Sequence, residues 1–587
     1  MFAFRQVGRT QCRLALAVAA LVLAAGCTTP SDRDRASARA AEEVLKTLTS
    51  TQPAPAAPSP DSAKPPEAKP EPPPAAGEVP LSLSQVVQRA LANNHDVQSA
   101  GFQPPIAHED IIAAEAVFDP AAFMTNTVGR VDRPIQSVLD TGVATEGNLI
   151  QNTWSFQGGL RDKLPTGGTF AVYQAHDYLE TNSSLSIPNP QYATRLTWEL
   201  AQPLLRGAGI EYNRAPIRVA NLNSDIATAD FRKAVTDAVA TTINAYWQLA
   251  FDLESVHVSQ ASLDLAAEVL RREKAREARG VSSEVDLNRA AAAVALRQAD
   301  VIRAINQARD SMDHLKMLMN APDLPLAGDA KIVPVEAPRF YVVNVNRTEA
   351  IITALANRPE LERARNTVAI NRIRADVANK DRLPKLDATL RYVMNGLGKT
   401  YSQGLEEQGF DERITWSAMF EFEVPLGNRA ADALHRRRVL EYEQALVDVE
   451  RQASQATQEV NTAVRAVVMS RQEVESTLEA ISAASNQVHG EQRRFELGQS
   501  TSDELLRAQE TLANAQRDHL KALLNFNLGL VSLARAEGVL LESQGIEVVR
   551  PQGTVDHPRP LGLRLAPGKT PTPPVGVTVP PPEPAKP

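Results

Sequence analysis

Two hydrophobic periods alternate along the chain, one typical of long helices and one typical of strands. Within 428–498, apolar residues recur at alternating steps of four and three positions, which is the seam of a coiled coil; they are Val460, Val464, Val467, Val474, Leu478, Ile481 and Val488. This stretch contains no proline, and 213–280 contains only Pro216, in its first turn, where proline is tolerated. The pattern predicts helices over 213–280 and 428–498, each of about 100 Å, far longer than a globular core needs.

Each predicted long helix ends at a glycine that is followed by hydroxyl side chains. Glycine favours the C-cap of a helix, and serine and threonine favour the N-cap of the next one. We therefore expect a sharp corner and a return helix, over about 284–320 in the first case and 502–538 in the second. The corner residues are Gly280, Ser282 and Ser283, and Gly498, Ser500 and Thr501.

The two predicted hairpins belong to a longer internal repeat. The corner glycines are related by a shift of 498 − 280 = 218, and the sequence Ala-Leu-Ala-Asn at 90–93 recurs at 354–357. A repeat this long suggests pseudo-symmetry within one object. The first repeat is predicted at 81–320, with short helices at 82–118, a strand region at 121–203 and a hairpin at 213–320 whose tip lies near 280–283. A linker at 321–345 leads to the second repeat at 346–548, with a helix at 346–381, strands at 385–394 and 414–424, and a hairpin at 428–538 whose tip lies near 498–501.

Strand regions show strict alternation of apolar and polar residues. From Ile414 to Val424 the even positions are apolar, and the segment before Pro203 alternates in the same way. Strands with one apolar and one polar face fit a membrane barrel with a wet lumen, although a soluble sandwich fits the alternation nearly as well. Isolated strands cannot leave their edges unpaired in a bilayer, which favours a barrel shared between several chains.

The first strand region is longer than the second. It contains two further alternating stretches, about 153–161 and 168–177, which are joined by a tight turn at 164–168. They are either an extramembrane hairpin or two additional barrel strands per chain. Separately, Pro104-Pro105 predicts a break in the short helices of the first repeat.

The N-terminus has the pattern of a lipoprotein signal peptide. Three arginines precede the apolar run 14–25, which is too short to span a bilayer, and the run ends in Ala-Gly-Cys27. This predicts a signal peptide at 1–26 and a covalent lipid, including palmitate, on Cys27; the alternative is ordinary cleavage that leaves a free thiol. Thr28 in place of aspartate favours sorting to the outer membrane. The proline-rich segments 27–80 and 549–587 are predicted to be a disordered tether and tail.

Composition and motifs argue against catalysis and nucleic-acid binding. The net charge is −8 and the chain has no basic stripe of the kind that nucleic acid requires. Its nine histidines are dispersed, and it has no phosphate-binding loop, nucleophile motif or Cys/His cluster. The sequence therefore predicts neither an enzyme nor a metal or cofactor site, apart from the lipid on Cys27.

Several segments, taken together and in their order along the chain, resemble the TolC-type outer-membrane efflux proteins, specifically the lipoprotein branch. They are Leu81 to Val97, Phe118-Asp119-Pro120, Pro203-Leu204, Pro425-Leu426, Ala245-Tyr246-Trp247 and both glycine corners. The resemblance implies an α+β membrane protein that is a homotrimer. Its long helical hairpins would form a periplasmic tunnel, continued by a twelve-stranded transmembrane β-barrel shared by the trimer. The implied partners are a periplasmic adaptor, or membrane fusion protein, and an inner-membrane pump of RND or ABC type.

The resemblance also implies roles for residues at the hairpin tips. Asp286 and Glu504 match the acidic rings that close the family's tunnel, Arg507 stands where a second acidic residue is expected, and Phe495 stands where a tyrosine is common. Copies of Glu504 and Arg507 could pair across a narrow tip; alternatively, these charges are solvated and cap helix N-termini. The adaptor would dock at Gly280, Ser282, Ser283, Gly498, Ser500 and Thr501.

Three functions fit these features. The first is an outer-membrane duct, extending into the periplasm, that exports small molecules passively. The second is the outer-membrane duct of a type I protein secretion system. The third is a structural coiled-coil lipoprotein that bridges the layers of the envelope.

Overall fold

The computed structural model describes residues 77–142, 147–280, 283–409, 413–549, 562–565 and 577–578. The predicted signal peptide, Cys27 with its predicted lipid, nearly all of the predicted tether, Ser282 and most of the predicted tail lie outside the described residues. Within the described residues, no helix is both long enough and apolar enough to cross a membrane.

Two helical hairpins dominate the described residues. The helices of the first repeat are α1 (Leu83–Asn93), α2 (His95–Gly101), α3 (Gln103–Glu115), α4 (Val138–Thr141), α5 (Ile210–Asn213), α6 (Ala215–Glu277) and α7 (Glu284–Met319), with a 3-10 turn at Ala116–Phe118. Those of the second repeat are α8 (Arg347–Asn357), α9 (Pro359–Lys380), α10 (Tyr401–Glu406), α11 (Arg429–Glu496), α12 (Ser502–Glu537) and α13 (Leu540–Ser543). At 63 and 68 residues, α6 and α11 extend ~95 Å and ~100 Å.

Prolines divide the shorter helices. Helix α2 ends at Gly101 and α3 begins at Gln103, so the helix is interrupted at Phe102, two residues before the Pro104-Pro105 pair that predicted a break. In the second repeat, α8 and α9 replace the single helix expected over 346–381, because Pro359 begins a new helix and holds Arg358 in an extended conformation.

The strands form one large antiparallel sheet and three small pairs. The large sheet has the order β2-β3-β4-β5-β8-β9. Its strands are β2 (Ala121–Pro134), β3 (Asn148–Lys163), β4 (Thr169–Thr181), β5 (Gln191–Pro203), β8 (Lys385–Gly398) and β9 (Ile414–Glu423). The additional stretches predicted near 153–161 and 168–177 are therefore β3 and β4, and they lie inside the sheet. The two repeats meet where β5 pairs with β8.

Small strand pairs surround the middle of the helical hairpins. β1 (Glu78–Leu81) pairs with β6 (Lys331–Pro334), β7 (Asn344–Val345) pairs with β12 (Val577–Thr578), and β10 (Ile546–Val549) pairs with β11 (Gly562–Leu565). The first described strand therefore starts at Glu78, within the segment predicted to be a tether up to 80. The prediction of a wholly disordered tail over 549–587 is wrong for β11 and β12, because both segments complete backbone ladders with strands of the folded region.

Small and branched apolar residues form the seam between α11 and α12. Val460, Val464, Val467, Val474 and Val488 are buried, as the heptad pattern predicted. Leu478 is 58% exposed, so its placement on the seam was wrong. Ala463, Ser470 and Ala484 are also buried, and they follow Val460, Val467 and Ile481 at a step of three. Small residues therefore complete the heptad seam at this step, where the larger apolar residues alone had indicated a step of four.

The two hairpins have cores at corresponding positions, and at one of them an apolar side chain is replaced by a carboxyl group. Tyr246 and Leu249 pack with Leu315 and Met319 in the first repeat. Shifted by 537 − 319 = 218, the counterpart of Met319 is Glu537, which is also fully buried and whose carboxylate oxygens lack hydrogen-bond partners among the described residues. Desolvation, with a smaller contribution from Glu349, raises the pKa of Glu537 to about 7.

We expect Glu537→Met, which places the residue of the first repeat in the second, to stabilise the protein in a pH-dependent way. The folded state holds the Glu537 proton up to pH about 7 and the unfolded state only to 4.5, so wild-type stability falls as pH rises between these values. The advantage of Glu537→Met should therefore be about 3 kcal/mol larger at pH 8 than at pH 4.5.

Thermal denaturation of the purified protein at both pH values measures this difference. Glu537→Gln should show the same pH dependence as Glu537→Met, because both variants remove the carboxyl group. An equal effect of Glu537→Met at both pH values would contradict the assignment.

Candidate functional site

The hairpin tips turn at glycines in the left-handed region. Gly280 has φ of +75° and Gly498 has φ of +72°, a conformation that costs other residues about 1–2 kcal/mol. No atom lies within 4 Å of the position where a Cβ would stand on either glycine, so the backbone conformation alone requires them. At the second tip, the N–H of Gln499 donates to the carbonyl of Arg494 at 2.8 Å, which closes the end of α11.

Hydroxyl and carboxylate groups cap the return helices. Ser283 Oγ accepts from the N–H of Val285 at 3.1 Å. Thr501 Oγ1 accepts from the N–H of Glu504 at 3.3 Å, and Glu504 Oε2 accepts from the N–H of Thr501 at 3.2 Å, which is a capping box. Ser500 Oγ also donates to Glu504 Oε2 at 2.6 Å. These two donors, the Ser500 hydroxyl first, lower the pKa of Glu504, so it stays ionised.

The remaining tip charges pair within their own helices. Arg507 lies 2.9 Å from Asp503, one helical turn before it, and Asp286 lies 3.8 Å from Arg289. Within one chain, Arg507 therefore pairs with Asp503 and not with Glu504. Glu504 caps a helix N-terminus, which is the alternative role that the sequence analysis gave for the acidic residues. The role of Asp286, Glu504 and Arg507 in closing a tunnel remains a prediction.

Phe495 packs between helices. It is 5% exposed and contacts a small apolar cluster with Val269 and Leu505, and the guanidinium carbon of Arg276 lies 5.1 Å from the centre of its ring. Phe495 holds the second tip against the first hairpin, because its ring is buried against α6 and α12. Its role at the tunnel constriction, which the family resemblance implies, stays a prediction.

Two ion pairs that join the hairpins toward their tips were not predicted from the sequence. Arg272 on α6 lies 3.3 Å from Glu496 on α11, and Arg297 on α7 lies 3.2 Å from Glu510 on α12. Their partners are more than 200 positions away, and local sequence carries no signal for such pairs. The two tips of one chain are thus joined by charge as well as by the Phe495 cluster.

The large sheet has one apolar face. Residues with even numbers share it, because register pairs such as Trp154↔Tyr178, Tyr178↔Tyr192 and Tyr192↔Gly398 join even positions across the strands. Its large aliphatic and aromatic members include Met124, Val128, Ile150, Trp154, Phe156, Leu160, Phe170, Val172, Leu196, Trp198, Leu200, Leu386, Leu390, Met394, Ile414, Trp416, Phe420 and Phe422. Many of them are exposed in a single chain, Trp416 by 75% and Phe420 by 68%. Such a face requires contact with lipid or with another protein surface.

Polar groups on the apolar face are covered by the segment between β8 and β9. Thr194 Oγ1 donates to the carbonyl of Gly404 in α10 at 2.7 Å. Tyr401 lies 3.3 Å from His176 Nε2, and the side-chain amides of Gln174 and Gln408 lie 3.0 Å apart. Thr194 and Gln174 thereby have hydrogen-bond partners at the end of the sheet that is remote from the helical hairpins, whereas His176 Nδ1 has none among the described residues.

The odd-numbered face carries ion pairs between neighbouring strands. Arg391 lies 2.8 Å from Glu199, Lys385 lies 2.7 Å from Glu421, and Arg195 pairs with Asp177. Threonine, serine and glutamine occupy much of the rest, for example Thr127, Ser155 and Gln157. This face suits contact with water. Within the described residues, no cluster of three or more acidic, histidine or cysteine side chains could hold a metal ion.

Sequence comparison assigns the family. The sequence profile described as outer membrane efflux protein matches residues 181–321 and 350–539, which is more than half of the chain. A comparison with curated proteins gives no match.

Solved structures share the fold. The Campylobacter jejuni CmeC outer membrane channel is 16% identical, with a TM-score of 0.59 over 78% of this chain and 86% of that chain. VceC, an outer membrane protein of Vibrio cholerae, is 18% identical, with a TM-score of 0.56 over 78% of this chain and 96% of that chain. The Neisseria gonorrhoeae MtrE outer membrane channel is 17% identical, with a TM-score of 0.52 over 78% and 89%. Together with the two repeats and the amphipathic sheet, the profile match shows that this chain belongs to the outer membrane efflux protein family.

Proposed function

We propose that three copies of this chain form a passive duct that exports small molecules across the periplasm and the outer membrane. One observation carries the proposal: a sheet with a continuous apolar face leads, through β5 and β9, directly into helices of 63 and 68 residues. The sheet suits a lipid environment on one side and water on the other. The helices have the length of an envelope-spanning tunnel rather than of a globular core.

Assembly of several copies follows from the edges of the sheet. β2 and β9 are its outer strands among the described residues, and an unpaired strand edge cannot lie in a bilayer. Pairing between copies satisfies both edges. With two near-equivalent hairpins per chain, a trimer has six near-equivalent units around one axis, which is how a few chains can build a closed tube.

The partners and the anchor complete the proposal. A lipid on Cys27 tethers the chain to the outer membrane, and the hairpin tips meet a periplasmic adaptor coupled to an inner-membrane pump of RND or ABC type. The exposed tip glycines support this docking role, since their Cβ positions are free of neighbouring atoms. The family is described as outer membrane efflux protein, and CmeC and MtrE are described as outer membrane channels. These descriptions support a duct rather than a purely structural lipoprotein.

Deleting the gene tests the transport role. We expect the deletion strain to become several-fold more sensitive to toxic small molecules and to regain resistance when the full chain is restored, because the duct is the exit of the export route. Minimum inhibitory concentrations measure sensitivity. Heat-modifiable trimers in outer-membrane fractions should accompany function, and their absence would contradict the duct. Loss of secreted proteins with unchanged sensitivity would support the protein-secretion alternative instead.

Gly498→Val tests the docking role of the tips. Valine at φ of +72° strains the corner by about 1–2 kcal/mol and should displace Ser500 and Thr501, so resistance should fall while trimers still form. Gly490→Val, on the exposed surface of α11 with no atom within 4 Å of its Cβ position, is the matched control and should retain resistance. Full resistance in Gly498→Val cells would exclude the second tip from docking.

A further inference from the structure

We propose that the β3–β4 hairpin is part of the membrane wall, so that three copies close an eighteen-stranded barrel in place of the twelve strands that the family resemblance implies. The inference rests on the proposed trimeric duct. Each chain supplies six strands to one sheet. Four independent observations place the additional pair within the wall.

The first observation is the backbone pairing on both sides of the hairpin. β3 pairs with β2 along the whole of that strand, from Ala121↔Arg161 to Pro134↔Asn148. β4 pairs with β5 from Thr169↔Ala201 to Leu179↔Gln191. A hairpin outside the membrane would leave β2 and β5 to pair with each other. Instead, β3 and β4 separate them over their full length.

The second observation is that the hairpin continues both faces of the sheet. On β3 and β4, the apolar face carries Trp154, Phe156, Leu160, Phe170 and Val172. The phenylalanine and tryptophan rings of Phe170 and Trp198, on adjacent strands, lie 6.2 Å apart, so the apolar surface is unbroken from β4 to β5. A strand pair that stood in water on both sides would not need such a surface.

The polar face is continuous in the same way. Asp177 on β4 pairs with Arg195 on β5, just as Glu199 on β5 pairs with Arg391 on β8. Thr153, Ser155 and Gln157 on β3 add uncharged polar groups to this face. The inserted strands therefore present a water-facing surface of the same chemistry as their neighbours.

The third observation is the position of the turn between β3 and β4. The N–H of Gly209 donates to the carbonyl of Thr166 at 3.0 Å, and Thr166 Oγ1 donates to Gln202 Oε1 at 2.8 Å. A Cβ on Gly167, at φ of +95°, would lie 2.4 Å from the carbonyl oxygen of Gly207. The turn is thus fitted against the junction between β5 and the first helical hairpin, at the level where the other strands begin.

The fourth observation concerns the two outer strands. β2 leads away from the short helices and β9 leads into α11, so β9 of one copy and β2 of the next run antiparallel when they lie side by side. The even-numbered residues of both strands belong to the apolar face, for example Met124 on β2 and Phe420 on β9. The alternation of strand direction and of faces therefore continues from copy to copy.

The additional strands widen the exit. With strands ~4.8 Å apart and tilted by ~40°, a barrel backbone is roughly 24 Å across for twelve strands and roughly 36 Å for eighteen. The helices contributed by each chain do not increase, because the inserted turn connects strand to strand. The additional strands therefore widen the barrel without widening the helical tunnel. The helical end then limits the size of the cargo.

Tryptophan fluorescence quenching by brominated phospholipids tests the inference in the full-length protein, reconstituted in phosphatidylcholine vesicles. The chain has four tryptophans: Trp154 on β3, Trp198 on β5, Trp416 on β9 and Trp247 among the helices. Four variants each retain one of them, with phenylalanine at the other three positions. We expect the Trp154 variant to lose the same fraction of its emission as the Trp198 and Trp416 variants, and the Trp247 variant to lose none.

The outcomes separate this inference from the proposed function. If Trp154 behaves like Trp247 while Trp198 and Trp416 are quenched, a barrel exists without the hairpin, and the inference is overturned while the duct stands. If no variant is quenched, the sheet does not face lipid and both proposals fail. Electron microscopy of the unaltered trimer in nanodiscs avoids any folding defect of the variants. A barrel about 1.5 times as wide as a twelve-stranded one supports the inference, and a barrel of twelve-stranded width overturns it.

Discussion

The backbone hydrogen bonds between β5 and β8 join the two repeats of the chain, and the positions of both helical hairpins depend on this ladder. It runs from Tyr192↔Gly398 to Pro203↔Asp387. The N–H groups of Leu204 and Arg206, which donate to the carbonyls of Leu386 and Pro384, extend it toward the helices. Below this ladder, the end of β5 and the end of β9 each lead into a long helix. Strand pairing fixes the spacing and direction of β5 and β9 within the sheet. The two long helices therefore start from the same end of the sheet and run in the same direction.

Duplication gives the chain two similar halves, and the differences between them are local and chemical. The hairpin cores lie at corresponding positions, yet Glu537 occupies the position of Met319 and gives the second repeat a carboxyl group that prefers to be protonated. At the tips, the second return helix has a complete capping box, whereas the first has only the Ser283 hydroxyl bond. The second hairpin therefore has an additional cap at its tip and a buried carboxyl group at its base.

Local signals in the sequence predicted the helices well. The return helices Glu284–Met319 and Ser502–Glu537 begin and end within one residue of the expected positions, because glycine and hydroxyl caps act over a few residues. Alternation likewise located β3 and β4, but it could not decide whether they join the sheet, since pairing depends on distant strands. The Arg272–Glu496 pair and the burial of Phe495 were missed for the same reason. Leu478 was misplaced because small residues such as Ser470 and Ala484 occupy the seam at a step of three, whereas the apolar residues alone had indicated a step of four.

The turn that sets Thr166 against Gly209 has a consequence for how such walls can change in evolution. Both ends of the sheet lead to helices on the same side, so a single added strand would send the chain out on the wrong side. Strands can be gained or lost only in pairs, each pair closed by a turn at the helical end. A duplicated hairpin meets this condition without altering any helix. The circumference of the wall and the length of the tunnel are therefore free to evolve separately.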